Sequence, residues 1–307
     1  MTDKTSRAGF QPRDWLEDKA SAGLIALMRA LPYRYRVPLM GALWARLIAP
    51  LTGQRRRIRS NLALAMPELP EDEVARLCRA VPDNLGRSVI EMFSPEDLMQ
   101  RAAQTPIGGP GLAVMDRLHG EGRPAVLVTG HLGNYDVARA VLHARGYKLG
   151  ALYRPMSNRF FNRRYERMLT RIDTPMFPRS RAGMAQMVKF LRAGGMLTIV
   201  ADQRIGSGAP LRFFGREART ALSAAELALR FDAPLIPGYA IRRPDGLSFD
   251  IIVEDPVPRG SAEEMMQALN DSLEAQIRTH PEQWLWTHRR WKQQSGQGSS
   301  ATASTGP

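Results

Sequence analysis

From residue 124 onward the chain alternates short apolar runs with longer amphipathic stretches, and this alternation limits the possible folds more than any other feature. Residues 124–129 are apolar, rich in Val and bounded by Gly122 and Gly130, the pattern of a buried strand. A helical stretch follows to about residue 145. Residues 148–153 predict a second strand and 158–172 a helix; 174–177 predict a short strand, 182–192 a helix, 196–201 a strand and 216–230 a helix. Residues 234–241 and 247–253 read as strands joined around Pro244-Asp245-Gly246. Residues 261–278 read as a helix in which Ser261 and Glu264 have capping-box spacing. Strands separated by helices point to an α/β fold, with a mixed, largely parallel sheet flanked by helices.

Residues 21–101 carry no strand pattern. Leu24, Leu27, Met28 and Leu31 fall at i, i+3, i+4 and i+7, and beyond Pro32 and Pro38 the pairs Leu39/Met40, Leu43/Trp44 and Leu47/Ile48, then Leu51, recur every four residues. Both patterns predict amphipathic helices. Pro70, followed by Glu71, Asp72 and Glu73, marks another helix start. The expected organisation is a loose N-terminus at 1–20, a helical, membrane-associating segment at 21–105, an α/β domain at 106–292 and a disordered Gln/Gly/Ser/Thr-rich tail at 293–307.

Charge suggests a task for the helical segment. Lys and Arg number 43 against 30 Asp and Glu, a net +13. Between residues 20 and 67 there are eight arginines and no acid; between 151 and 192, ten Lys or Arg face only Glu166 and Asp173. Such an excess admits nucleic acid, an anionic membrane or acidic partners. Aromatics are not interleaved with the basic residues as base-stacking platforms, which counts against nucleic acid. No uncharged apolar run reaches the ~18 residues of a membrane span. Asp14, Glu17 and Asp18 occupy the place of a basic leader region, which speaks against a signal peptide. An acid-free amphipathic segment with Arg and Trp suits the membrane interface; ordinary helices packing on a core are the other reading. One cysteine, Cys78, excludes an intramolecular disulfide and a Cys-based zinc site.

The strongest local feature is Gly130-His131-Leu132-Gly133-Asn134-Tyr135-Asp136, which leaves the Val-rich strand and opens a helix. Ligands of open α/β sheets bind at such carboxyl ends of strands. Asp136 is placed to orient His131, leaving the second ring nitrogen to accept a proton. No Ser or Cys nucleophile lies in the motif, so the base would act directly on a substrate hydroxyl. A turn histidine followed by a first-turn helix acid is the plainer reading. Phosphate-loop, dinucleotide-binding, nucleophile-elbow and zincin motifs are all absent from the sequence. The remaining histidines, His119, His143, His280 and His288, have no metal-ligand spacing, and no metal or cofactor is expected.

The heptad resembles the His-x4-Asp/Glu signature of membrane glycerolipid and glycolipid acyltransferases. Tyr153-Arg154-Pro155, Asn158-Arg159, Ala201-Asp202-Gln203, Phe213-Phe214-Gly215 and the stretch from Pro281 to Lys292 follow in the same order as in the bacterial lipid A biosynthesis (late) acyltransferases. The resemblance covers about residues 24–292; Tyr135 stands where that family often has Trp, and Asp136 where many members have Glu. It implies transfer of a fatty acyl chain from an acyl carrier protein or CoA thioester to a hydroxyl of an anionic lipid acceptor, such as a lipid A precursor, at the cytoplasmic face of the bacterial inner membrane. His131 would be the base and Asp136 its partner, with Asp202 a further site acid. The oxyanion would be held by Arg154 and by backbone N–H groups near Gly133 and Asn134. Arg159, Arg163, Arg167 and Arg171 recur every four residues and would grip phosphates or an acidic carrier protein, unless they form only a solvated face. Phe213 and Phe214 would line an acyl tunnel or serve as core, and Trp284, Trp286 and Trp291 would sit at the interface or in the core. A lysophospholipid or ornithine-lipid O-acyltransferase is the alternative enzyme; a basic membrane-surface or nucleic-acid-binding protein is the non-enzymatic one.

Overall fold

A computed structural model describes residues 11–291. The N-terminal part is helical: α1 (Pro12–Arg29), α2 (Tyr33–Leu43), a π-helical turn (Trp44–Ile48), α3 (Ala49–Leu51), α4 (Gln54–Ala65), α5 (Glu71–Met92) and α6 (Pro95–Ala102). The π turn lies just before Pro50, whose ring would crowd the carbonyl of Arg46 in a regular α-helix; the wider turn relieves this. Helix α1 starts at Pro12, so the loose segment expected to residue 20 is helical from there on. Asp18 bonds Arg164 at 2.8 Å and the backbone of Asp14 accepts from Asn158, anchoring α1 to the α/β part. The expected tail at 293–307 and the first ten residues lie outside the described residues.

The remainder alternates, from β2 onward largely as the sequence predicts: β1 (Ile107–Gly108), α7 (Leu112–Gly120), β2 (Ala125–Thr129), α8 (Tyr135–Ala144), β3 (Leu149–Tyr153), α9 (Arg159–Ile172), β4 (Met176–Pro178), α10 (Arg181–Arg192), β5 (Met196–Val200), β6 (Ala209–Phe213), β7 (Arg216–Thr220), α11 (Ser223–Arg230), β8 (Leu235–Arg242), β9 (Phe249–Val253) and α12 (Ala262–Thr279). Seven strands form one sheet in the order β1-β9-β8-β2-β5-β3-β4, parallel except between β8 and β9. The sheet is thus mixed and largely parallel. Ser261 and Glu264 form the capping box of α12.

One stretch departs from the pattern. Residues 216–230 do not form a single helix: β6 and β7 make an antiparallel hairpin, and α11 begins only at Ser223. Phe214 and Gly215 turn the chain with φ of 52° and 67°, the two left-handed residues that a tight hairpin turn requires.

The N-terminal helices have two apolar sides. Ile25, Met28, Val37 and Met40 pack inward with Ile90, Phe93 and Met168. Leu16, Leu27, Leu39, Leu47 and Leu51 face outward, Leu51 with 86 % of its surface exposed. Among the described residues no helix is long and apolar enough to cross a membrane.

Candidate active site

Strands β2 and β5 are parallel neighbours, with Thr129 opposite Val200. His131 and Asp202 each lie two residues beyond these strand ends, so the register that pairs the strands also sets the two side chains side by side at the carboxyl edge. His131 Nδ1 lies 2.6 Å from Asp202 Oδ1, and the backbone N–H of His131 donates to Asp202 Oδ2 at 2.8 Å. Trp284 Nε1 donates to the same oxygen at 2.9 Å. The Asp202 side chain is 2 % exposed and that of His131 23 %. A buried carboxylate can accept but not donate, so Nδ1 carries the proton and Nε2 keeps its lone pair.

The electrostatics follow from this packing. Burial alone would lower the His131 pKa, but the charge and hydrogen bond of Asp202, with help from Asp136, raise it above the ordinary value of 6.5. Burial would raise the Asp202 carboxyl; the His131 charge, hydrogen bonds from the His131 ring and backbone, and the Trp284 bond outweigh it and lower the pKa to about 2. His288, near the same groups, is lowered chiefly by burial, and its Nε2 accepts from the Arg204 backbone at 3.1 Å.

Asp136 does not bond His131. The Asn134 side chain caps α8 by accepting from the Asp136 backbone, which turns Asp136 into the first helical turn, where Oδ1 bonds Arg139 at 2.8 Å. Both side chains of that ion pair are 4 % exposed. The neighbouring strand end, not the following helix, therefore supplies the carboxylate on the imidazole.

The turn itself is held by protein contacts that leave little for a substrate. Asn134 Nδ2 donates to Glu91, so both ends of its amide are committed. The backbone N–H of Gly133 donates to Gln283 and that of Asn134 to Ala240, so the two amides expected as oxyanion donors are already used. Gly133 has φ of 60°, and a Cβ there would come within 1.8 Å of the Ala240 oxygen. Leu132 pairs with Trp284, and the Leu285 N–H donates to the His131 carbonyl, so residues 283–285 run as a short backbone ribbon along the motif. Beneath it lies a buried ion pair that sequence reasoning missed. Arg242 holds Glu91 through both oxygens, at 2.5 and 2.8 Å, and its Nε donates to Asn84. Nothing local links Glu91 and Arg242, which are brought together from α5 and β8 by tertiary packing.

The other expected site residues are dispersed. Arg154 follows β3, on the far side of β5 from β2, so it is exposed at the carboxyl edge two strands, roughly 10 Å, from the His131 strand. Arg159 opens α9 near that edge, but Arg163, Arg167 and Arg171 recede along the helix by about 6 Å each. Arg171 pairs with Glu96 at 2.8 Å. Tyr165, Met168, Leu169 and Ile172 form the buried face of α9, as the periodicity predicts. Phe213 and Phe214 are enclosed by Trp284, Trp286 and Trp291, with ring centroids 5.0–6.5 Å apart, and so belong to the core instead of lining a channel. The three tryptophans are core as well, and Trp284 backs Asp202.

A family model of bacterial lipid A biosynthesis acyltransferases matches residues 4–293. The lipid A biosynthesis lauroyltransferase of Escherichia coli K12 is 25 % identical over 300 residues, covering 94 % of this chain and 95 % of its own length. The lipid A biosynthesis palmitoleoyltransferase of the same organism is 25 % identical over 304 residues, covering 94 % and 95 %. A phosphatidylinositol mannoside acyltransferase of Mycolicibacterium smegmatis is 28 % identical over 283 residues, covering 86 % and 88 %. The match extends over nearly the whole chain and includes the strand ends that carry His131 and Asp202: the chain belongs to the bacterial lipid A biosynthesis acyltransferase family and is an acyl-transferring enzyme.

Proposed function

We propose that the enzyme moves a fatty acyl chain from an acyl carrier protein or CoA thioester to a hydroxyl of a lipid A precursor or related glycolipid, with His131 as general base. The observation that carries this reading is the 2.6 Å contact between His131 Nδ1 and the buried Asp202 at the carboxyl edge of the sheet. Asp202 fixes the tautomer, so Nε2 takes the proton of the acceptor hydroxyl as its oxygen attacks the thioester carbonyl. Collapse of the tetrahedral intermediate breaks the carbon–sulfur bond, and the imidazolium returns the proton to the leaving thiolate. The Asp202 charge stabilises the imidazolium in between. No covalent acyl-enzyme is required: Cys78, the only cysteine, is buried in α5. Arg154 remains the candidate for the oxyanion, since it is exposed at the same carboxyl edge of the sheet. Arg159, at the start of α9, would meet an acidic group of the acceptor. Asp136, paired with Arg139, positions the start of α8 and adds negative potential at His131.

The outward leucines of the acid-free N-terminal segment support peripheral attachment to an anionic membrane, where the family's lipid acceptors reside. The likeness to mannoside acyltransferases favours, as a second reading, a glycosylated phospholipid acceptor. Acyl transfer in membranes carrying the parent, His131→Ala or Asp202→Asn chain tests the base assignment, and wild-type rates in both variants would refute it. Mass spectrometry of the lipids of cells with and without the gene separates the acceptors. Loss of one lipid A acyl chain supports the first reading, and a change confined to glycosylated phospholipids the second.

A further inference from the structure

Helices α4 and α5 pack through Ile58, Leu62, Leu77 and Val81. Beside this seam they leave a cavity of about 390 Å³ lined by Arg55, Arg56, Arg59, Ala75, Cys78 and Arg79. The spacing explains the lining: positions 55, 56 and 59 share one face of α4, and 75, 78 and 79 share one face of α5. Four arginines thus line a space of headgroup size, its wall formed largely by their aliphatic stems. One acid compensates them, Glu71, and it is taken by Arg59 through both oxygens at 2.6 and 2.7 Å. Arg55 donates one Nη to the Ala45 carbonyl, while its buried Nε has no hydrogen-bond partner. Among the described residues, neither Arg56 nor Arg79 has an ion pair.

A cluster of arginines held on two packed helices without matching acids is poised for an anion, and the planar guanidinium fork suits phosphate oxygens. What precedes α4 in the chain narrows the choice. Leu51, the most exposed large apolar residue among those described, precedes α4 by three residues, and Leu47 lies one helical turn before it. An arginine-lined cavity a few residues along the chain from exposed leucines fits an amphiphile. None of the lining residues is hydrogen-bonded to His131 or Asp202.

We propose that the Arg55–Arg56–Arg59–Arg79 cavity binds the phosphodiester headgroup of an anionic bilayer lipid, whose acyl chains lie along Leu47 and Leu51. This lipid is a resident of the membrane and not the acceptor. The proposal rests on the membrane-surface reading above, but not on the assignment of the catalytic base.

The test is sedimentation of the full-length protein with vesicles of phosphatidylcholine alone or mixed with phosphatidylglycerol, at fixed salt. The parent binds the mixed vesicles more tightly. The exposed pair Arg56→Ala/Arg79→Ala weakens that binding roughly thirty-fold with an unchanged melting temperature and unchanged turnover of a detergent-dispersed acceptor. Leu47→Asn/Leu51→Asn weakens binding to both vesicle types, as expected if the chains lie there. If the parent binds neither vesicle, the membrane reading and the cavity assignment fail together. If the parent binds and the arginine variant binds equally well, the cavity assignment alone fails. Inorganic phosphate that occupies the cavity equally in parent and leucine variant, while vesicle binding is unaffected by the arginine changes, identifies a free phosphate ligand and overturns the proposal. So does a loss confined to acyl-carrier-dependent turnover, which would identify an acidic protein partner.

Discussion

In the proposed mechanism the pair His131–Asp202 concentrates the site's chemistry in one imidazole nitrogen. His131→Ala removes the base and is expected to lower kcat by about 10²- to 10⁴-fold, measured as initial rate of acyl transfer, with the fold intact by circular dichroism. Asp136→Asn is expected to act differently. Arg139 would lose its buried partner, and a buried ion pair broken on one side costs about 3–5 kcal/mol; the melting temperature falls before the chemistry is tested. The histidine was legible in the sequence, because a strand–turn–helix with His131 at its corner is a local pattern. Its carboxylate partner was legible only as a site acid. Asp136 is five residues away and Asp202 seventy-one, and choosing between them needs the strand order, which no local pattern carries.

At the scale of elements, the turn after β2 is shaped by segments remote in the chain. Residues 283–285 run along it, and Glu91 and Arg242 brace it from below. Burial opposes the Arg242 charge, and Glu91 more than restores it, raising the pKa. Glu91→Gln leaves that guanidinium without its anion, and a loss of about 3–5 kcal/mol is expected in chemical denaturation. Gly133→Ala meets both a positive φ and the Ala240 oxygen. It is expected to reduce activity and stability together, read as a lower midpoint of unfolding. The helices and strands after residue 124 were readable because apolar period and turn residues agree there. The hairpin of β6 and β7 was not: its strands are short and half exposed, and Arg216–Thr220 has no distinctive alternation. The turn signal was present in Phe214-Gly215, which had a competing reading as pocket aromatics.

For the whole molecule, the basic excess concentrates in an N-terminal segment with outward leucines and in residues 151–192, where Arg159, Arg163, Arg167 and Arg171 of α9 are exposed and Arg164 is paired with Asp18. The packing reading of the N-terminal stripes holds for Met28 and Met40, which turn inward, while Leu27 and Leu39 turn outward and are the residues the proposed interface would use. Periodicity alone finds an apolar stripe but does not say which edge of it the core covers. Leu27→Ser/Leu39→Ser is therefore expected to leave the melting temperature nearly unchanged and to reduce the fraction of protein recovered with membranes. The same change should barely affect turnover of a detergent-dispersed acceptor.

The most direct test of the central claim is the pH dependence of kcat/KM for acyl transfer in the parent and in Asp202→Asn. The base must be neutral to act, and Asp202 raises the His131 pKa above 6.5, so the parent's rate falls as pH drops through a value above 6.5. Without the carboxylate charge, that acid limb moves to lower pH and the plateau rate drops. An acid limb at the same pH in both proteins, with equal plateau rates, would contradict the account.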